Sequence, residues 1–246
     1  MTSGSVEGAD QAAGQLEQDA EKRAAAERAV GFIRPGMVVG LGSGTTADFA
    51  LHFLAARVDR GELPEVVGIP TSEHVATEAR GLGIPLASLD DHPVIDLTID
   101  GADEVDPDWN LIKGGGGALL REKIVAQASR REIIVVDHTK CSPRLGTRHS
   151  VPVEVAVFGW RPEAMHLESL GAKVSLRSGG DGSVFRTDQG NYILDADFGP
   201  IEDPALLASA LLPRAGVAEV GLFCGLVSDL IVATPDGVEH RKDRTR

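Results

Sequence analysis

MVVGLGSGTTADFALHFLAARV occupies residues 37–58 and changes period in the middle. MVVGL (37–41) is a short apolar run of the kind that forms a strand buried on both faces. After GSGTT the spacing turns helical, with Phe49, Phe53, Leu54 and Val58 on one apolar face. Thr45 and Thr46 stand where a helix start takes a hydroxyl cap. Strand, glycine turn and helix recur along the chain. VVGI (66–69) is followed by a helix through about 72–81, and IDLTID (95–100) and EIIVVD (132–137) flank a helix near 118–130. An Ala-rich stretch at 15–32 adds a helix before them. This alternation predicts an α/β fold: a Rossmann-like parallel sheet covered on both faces. Ligands in such sheets bind beyond the carboxyl ends of the strands. That rule brings GSGTT, DGAD (100–103), the glycine run after Lys113 and Asp137–Lys140 to one rim.

The pattern changes near His149. VPVEVAV (151–157) reads as a strand and RPEAMHLESLG (161–171) as a helix, with Pro162 at its start and Gly171 just past its end. AKVSLR, SVFRT and NYILDADF read as three short strands divided by the turn signals SGGDG and DQGN. Asp203 and Pro204 open another helix, and AEVGLF is a last strand. The order predicts a smaller inserted α+β (ferredoxin-like) domain at 149–223. DLIVAT (229–234) returns to the first sheet, so residues 15–148 and 224–246 form the α/β domain. Residues 1–14 read as a disordered lead-in.

Composition bounds the function. Lys and Arg number 24 against 37 Asp and Glu, a net charge of −13, which argues against nucleic acid as a partner. No apolar run reaches the ~18 residues that would span a membrane. The basic end, HRKDRTR (240–246), reads as a solvated tail. Cys141 and Cys224 form no CxxC pair and read as reduced thiols of a cytoplasmic protein.

Three motifs carry chemistry. GLGSGTTA (40–47) presents backbone N–H groups, a helix N-terminus and the hydroxyls of Ser43, Thr45 and Thr46 to an anion or polyol. It lacks the third glycine of a dinucleotide fingerprint and the lysine of a Walker loop. DGADEVD (100–106) sets Asp100 and Asp103 at a strand end with only Gly101 and Ala102 between them. These carboxylates can hold hydroxyls or relay protons; no His or Cys stands at metal-ligand spacing, so no metal is expected. Glu104, Asp106 and Asp108 read as a solvated remainder. KGGGGALLREK (113–123) places an ammonium and exposed amides beside Glu122 on the next helix. Four consecutive glycines cost conformational entropy unless something must approach the backbone closely. Lys113 and the loop amides suit an oxyanion, and Glu122 suits a general base. Lys140, just past another strand, is a candidate phosphate contact.

Taken together these motifs resemble ribose-5-phosphate isomerase, type A, over nearly the whole chain from about residue 20. The first loop reads GSGTT where many members read GTGST, which exchanges hydroxyl positions without losing them. The resemblance implies cofactor-free interconversion of ribose 5-phosphate and ribulose 5-phosphate in the pentose phosphate pathway, by a cytoplasmic homodimer or higher homo-oligomer. It implies substrate contacts at Ser43, Gly44, Thr45 and Thr46, at Asp100, Gly101, Ala102 and Asp103, at Lys113, Gly114, Gly115 and Gly116, and at Lys140, with Lys22 as a further match. Glu122 is the implied base, assisted by Lys113, Asp100 and Asp103; which aspartate opens the sugar ring stays open. Rival readings are an amino-sugar phosphate isomerase/deaminase, which needs a histidine site not found here, and a non-catalytic sugar-phosphate sensor.

Overall fold

A computed structural model describes residues 19–242, so the lead-in at 1–14 and the last four residues of the basic tail lie outside the described residues. A first helix, α1, covers residues 19–30. β1 (Val38–Leu41) feeds α2 (Thr45–Asp59), and β2 (Val67–Pro70) feeds α3 (Glu73–Gly81). Then come β3 (Leu97–Asp100), β4 (Glu104–Val105), β5 (Leu111–Ile112), α4 (Leu119–Ala128) and β6 (Glu132–Asp137). The second part runs β7 (Val151–Val155), α5 (Trp160–Ser169), β8 (Lys173–Leu176), β9 (Tyr192–Asp197), α6 (Pro204–Leu211) and β10 (Val217–Val220). The chain ends through β11 (Leu222–Phe223), β12 (Asp229–Thr234) and β13 (Gly237–Lys242).

The main sheet has the order β13-β12-β6-β3-β1-β2, and all its pairs are parallel except β12 with β13. β6 shows why a central strand of this sheet carries no polar alternation in its interior. Ile133 and Val135 pack with Ala29, Leu51 and Leu54 on one face, while Ile134 and Val136 pack with Leu119 and Phe223 on the other. Both faces are buried, so both sets of side chains must be apolar. The expected return of DLIVAT is found, with β12 beside β6.

The second sheet is antiparallel, ordered β10-β7-β9-β8, with Leu167 of α5 and Leu211 of α6 in its core. Its element order, β-α-β-β-α-β, is the split βαβ arrangement. Four expectations need correction here. SVFRT is not a strand; it makes only an isolated bridge, Ser178 to Val184, because Phe185 turns inward onto Ile193 and the glycine loop. Thr45 and Thr46 do not cap α2: Gly44 is its N-cap with no side-chain bond, and the threonines form the first turn. The buried stripe of α2 is Ala47, Ala50, Leu51, Leu54 and Ala55, with Phe49, Phe53 and Val58 only partly covered. The described part of the basic tail is not free coil, since residues 237–242 pair with β12 as a charged edge strand.

A third, small sheet, β11-β5-β4, joins the segment between β3 and β6 to the one between β10 and β12 and was not expected. It matters because Asp103 precedes β4 and Lys113 follows β5. The Lys113 N–H donates to the Gly221 carbonyl (2.9 Å), just before β11.

Candidate active site

The carboxyl ends of β1, β3 and β6 and the loop after β5 converge as the sheet rule requires. Ser43, Gly44, Thr45, Thr46, Gly101, Ala102, Asp103, Lys113, Gly114, Gly115, Gly116, Glu122 and Lys140 line one cleft of about 510 Å³ counted to its open mouth. Two expected contacts are not in its lining. Lys22 is buried on α1, and Asp100 lies beneath the floor, 1% exposed.

Asp100 is spent on protein donors. Its Oδ1 accepts from the N–H of Ser43 (3.0 Å) and of Gly101 (2.7 Å), which ties the first two loops together. Its Oδ2 faces Lys113 Nζ at 3.0 Å. A side chain on Gly42 would overlap Asp100, so that loop closes only over a glycine. Lys113 Nζ also donates to the Gly101 carbonyl (2.7 Å) and lies 3.4 Å from Glu122 Oε2. Its ammonium stands 5.7 Å from the centre of the Phe223 ring. Lys113 and Glu122 are 3% and 4% exposed, so this pair interacts in a poorly screened medium.

The titration of the cluster follows from its charge count. Burial would lower the pKa of Lys113, but the carboxylates of Asp100, Glu122 and Asp103 outweigh it and raise it, so the ammonium stays charged. Glu122 moves the other way from a usual carboxylate. Burial, reinforced by Asp100 and Asp103 and only partly offset by Lys113, pushes it up to about 8. A buried carboxylate poised near neutral pH beside a fixed cation is a strong candidate for proton transfer.

The four glycines have separate reasons. Gly114 has φ +105°, and a Cβ there would sit 2.9 Å from Leu119 Cβ. Gly115 donates its N–H to Asp103 Oδ2 (2.7 Å), and a Cβ would crowd that carboxylate. A Cβ on Gly117 would overlap the Phe185 ring. Gly116 alone has no protein atom within 4 Å of where its Cβ would be, and it lines the cleft. That glycine leaves room for something other than the protein.

Lys140 ends a 3₁₀ turn, His138–Lys140, fixed by Asp137, which accepts from the Thr139 N–H (3.0 Å). Thr71 was missed by the sequence reading; its hydroxyl is 2.8 Å from that of Ser43 and donates to the Leu41 carbonyl. Its place at the carboxyl end of β2 was the available signal. Glu132 was missed too, although an acid opening the apolar run EIIVVD was visible. It is buried, and burial together with Asp100 and Glu122 raises its pKa well above the usual range despite Lys113. Glu104, expected in solvent, is fully buried and accepts from the N–H groups of Gly146, Arg148 and His149.

The family profile described as "Ribose 5-phosphate isomerase A (phosphoriboisomerase A)" matches residues 67–237. The chain belongs to the ribose 5-phosphate isomerase A family. It is 58% identical to "Ribose-5-phosphate isomerase A" of Chloroflexus aurantiacus, covering 90% of this chain and 93% of the relative. It is 56% identical to the protein of the same description from Desulfatibacillum aliphaticivorans, covering 92% and 98%. Among solved structures, "Ribose 5-phosphate isomerase from Plasmodium falciparum" superposes with a TM-score of 0.89 at 37% identity, covering 92% of this chain and 99% of that one. A D-ribose-5-phosphate isomerase "in complex with phospho-erythronic acid" superposes with a TM-score of 0.88 at 39% identity, covering 91% and 98%. In this isomerase A chain the charged cluster and the open side of Gly116 therefore sit on a fold shared over 91–92% of the chain with solved ribose-5-phosphate isomerases.

Proposed function

We propose that the cleft interconverts D-ribose 5-phosphate and D-ribulose 5-phosphate through an enediolate, with Glu122 as the base. The observation that carries this reading is the buried Lys113–Glu122 pair at 3.4 Å in a cleft of the isomerase A family. Glu122 takes the proton from C2 of the open-chain aldose, and the electrons move onto the C1 oxygen. Lys113 and the loop amides stabilise that oxyanion. Glu122 then returns the proton to C1, while the hydroxyl proton of C2 passes to the oxygen on C1. Microscopic reversal gives the ketose-to-aldose direction.

Asp103, in the cleft wall, is assigned to the sugar hydroxyls and ring opening. Asp100 is assigned to holding Lys113 and the first loop, since both its oxygens already face protein groups. The N-terminus of α2 with Ser43, Thr45 and Thr46, together with Lys140, is assigned to the phosphate. Lys22 receives no role. The relatives' names speak against the sensor and amino-sugar readings. The test is incubation of EDTA-treated protein with ribose 5-phosphate and assay of ketopentose. Turnover supports the reading, whereas none, with or without added divalent ion, sinks it.

We also propose the two-domain division at 149–223, cytoplasmic placement and a homo-oligomer. Cys141 and Cys224, both free, fit a reducing compartment. Phe158 and Met165, 96% and 67% exposed on the second domain, fit a surface covered by another copy.

A further inference from the structure

The glycine loop is held from outside the domain that carries the chemistry. Arg177 follows β8 of the antiparallel domain, more than sixty positions along the chain from the loop. Its Nη1 donates to the Gly114 carbonyl (2.7 Å) and the Gly115 carbonyl (3.0 Å). The other edge of the guanidinium is forked onto Asp195: Nε to Oδ2 at 2.9 Å, and Nη2 to Oδ1. Phe185, which fills the space left by Gly117, stands beside the same guanidinium at 5.8 Å. A planar fork clamped on one edge leaves its remaining donor in one direction.

This clamp acts on the peptides that face the site. In a trans peptide the N–H points away from the carbonyl of the same plane. Drawing the Gly114 and Gly115 carbonyls to one donor turns the N–H groups of Gly115 and Gly116 to the opposite side. The first of these meets Asp103 at 2.7 Å. The second belongs to the glycine with open space beside it in the cleft. With the first N–H taken by the Asp103 carboxylate, the second is the donor left for negative charge in the cleft. The Gly114–Gly115 plane is also held by the Gly117 N–H on the Gly114 carbonyl (2.9 Å) and by Asp103. Arg177 is what holds the Gly115–Gly116 plane, and glycines on both sides leave that plane free to turn without it.

We propose that Arg177, braced by Asp195, is a positioning residue that sets the Gly115–Gly116 peptide so that the Gly116 amide faces the enediolate, and that the second domain thereby completes the active site of the first. The inference rests on the isomerase reading above. It assigns Arg177 no contact with substrate. Its loss acts on the transition state, because the Gly116 amide matters most when negative charge develops on the substrate oxygens.

The test uses the full chain with Arg177→Met, Arg177→Lys and Asp195→Asn. For Arg177→Met, kcat falls by about 10²-fold, the scale of a misplaced catalytic group, while KM for ribose 5-phosphate stays within about threefold. Phospho-erythronic acid, whose carboxylate can stand in for the enediolate oxygens, binds more weakly in proportion. Competitive inhibition by inorganic phosphate does not change. Arg177→Lys, which keeps a donor without the fork, recovers part of kcat, and Asp195→Asn falls between parent and Arg177→Met. Should Arg177→Met not fold, Arg177→Lys and Asp195→Asn carry the same comparison. A folded variant with parental kcat, or one that weakens phosphate and phospho-erythronic acid equally, overturns the inference. Failure of the parent itself to isomerise ribose 5-phosphate would instead overturn the functional reading.

Discussion

Replacing Lys113 with methionine preserves the reach of the side chain and removes its charge. The parent ammonium faces Asp100 at 3.0 Å and Glu122 at 3.4 Å, and all three groups are buried. Removing one partner of a buried ion pair typically costs about 3–5 kcal/mol, because the remaining charge is left uncompensated. For a chain of this size that corresponds to a fall in Tm of roughly 6–20 °C. The loss also depends on pH. Glu122 already has a folded-state pKa of about 8 against a usual 4.5, and removing the cation that opposes burial raises it further. A carboxyl group with a raised folded-state pKa contributes its stability in full below its unfolded value and loses it as pH rises through the folded one. The gap in Tm between parent and Lys113→Met therefore stays nearly constant from pH 5 to pH 7 and widens toward pH 9, above the parent's folded-state value of about 8. Turnover falls by at least about 10²–10³-fold through loss of an oxyanion donor. Thermal unfolding followed by circular dichroism at pH 5, 7 and 9, alongside a ketopentose assay, reads both effects. A folded Lys113→Met protein with a Tm within about 2 °C of the parent at every pH refutes the charge accounting for this cluster.

Two further predictions use the same cleft. If Glu122 is the base, kcat/KM rises about tenfold per pH unit on its acid side and levels off above about 8, the pKa of Glu122; a limb centred near 4.5 would mean that Glu122 is not desolvated in the working enzyme. Gly116→Ala and Gly117→Ala separate in kind: the first leaves Tm within about 1 °C and lowers kcat/KM, whereas the second meets the Phe185 ring with φ +87° and lowers Tm. Equal Tm losses in the two variants would remove the argument that Gly116 is kept for the ligand.

The main sheet was legible because strands buried on both faces are largely apolar, as VVGL and the IIVV of EIIVVD announce without context, while IDLTID was read from its Leu and Ile alone. The rim rule then gathered loops up to about 97 positions apart in sequence, from Ser43 to Lys140, into one cleft. Apart from Thr71 and Glu132, what stayed hidden had no local signal. β4, β5 and β11 are two residues each, too short for any period to show. Glu104 stands among the acids of DGADEVD, and only the packed loop at residues 146–149 reveals that it binds three backbone N–H groups. SVFRT has strand composition, yet Phe185 is drawn into the gap beside Gly117. Asp100 and Asp103 looked equivalent in sequence, whereas the two-residue turn between them puts one beneath the floor and the other in the wall. Arg177 reaches the glycine loop only through the docking of the two sheets.

The central claim is that Glu122 carries the carbon-bound proton. Glu122→Gln keeps the shape of the side chain and removes the carboxylate. The measurement is the exchange of the C2 hydrogen of ribose 5-phosphate with deuterated solvent, followed by NMR on folded protein beside ketopentose formation. General-base catalysis is worth roughly 10²–10⁴-fold, so exchange and isomerisation both fall by at least about two orders of magnitude, with little change in substrate affinity. Isomerisation by folded Glu122→Gln within about tenfold of the parent would contradict the claim and move the base to Asp103.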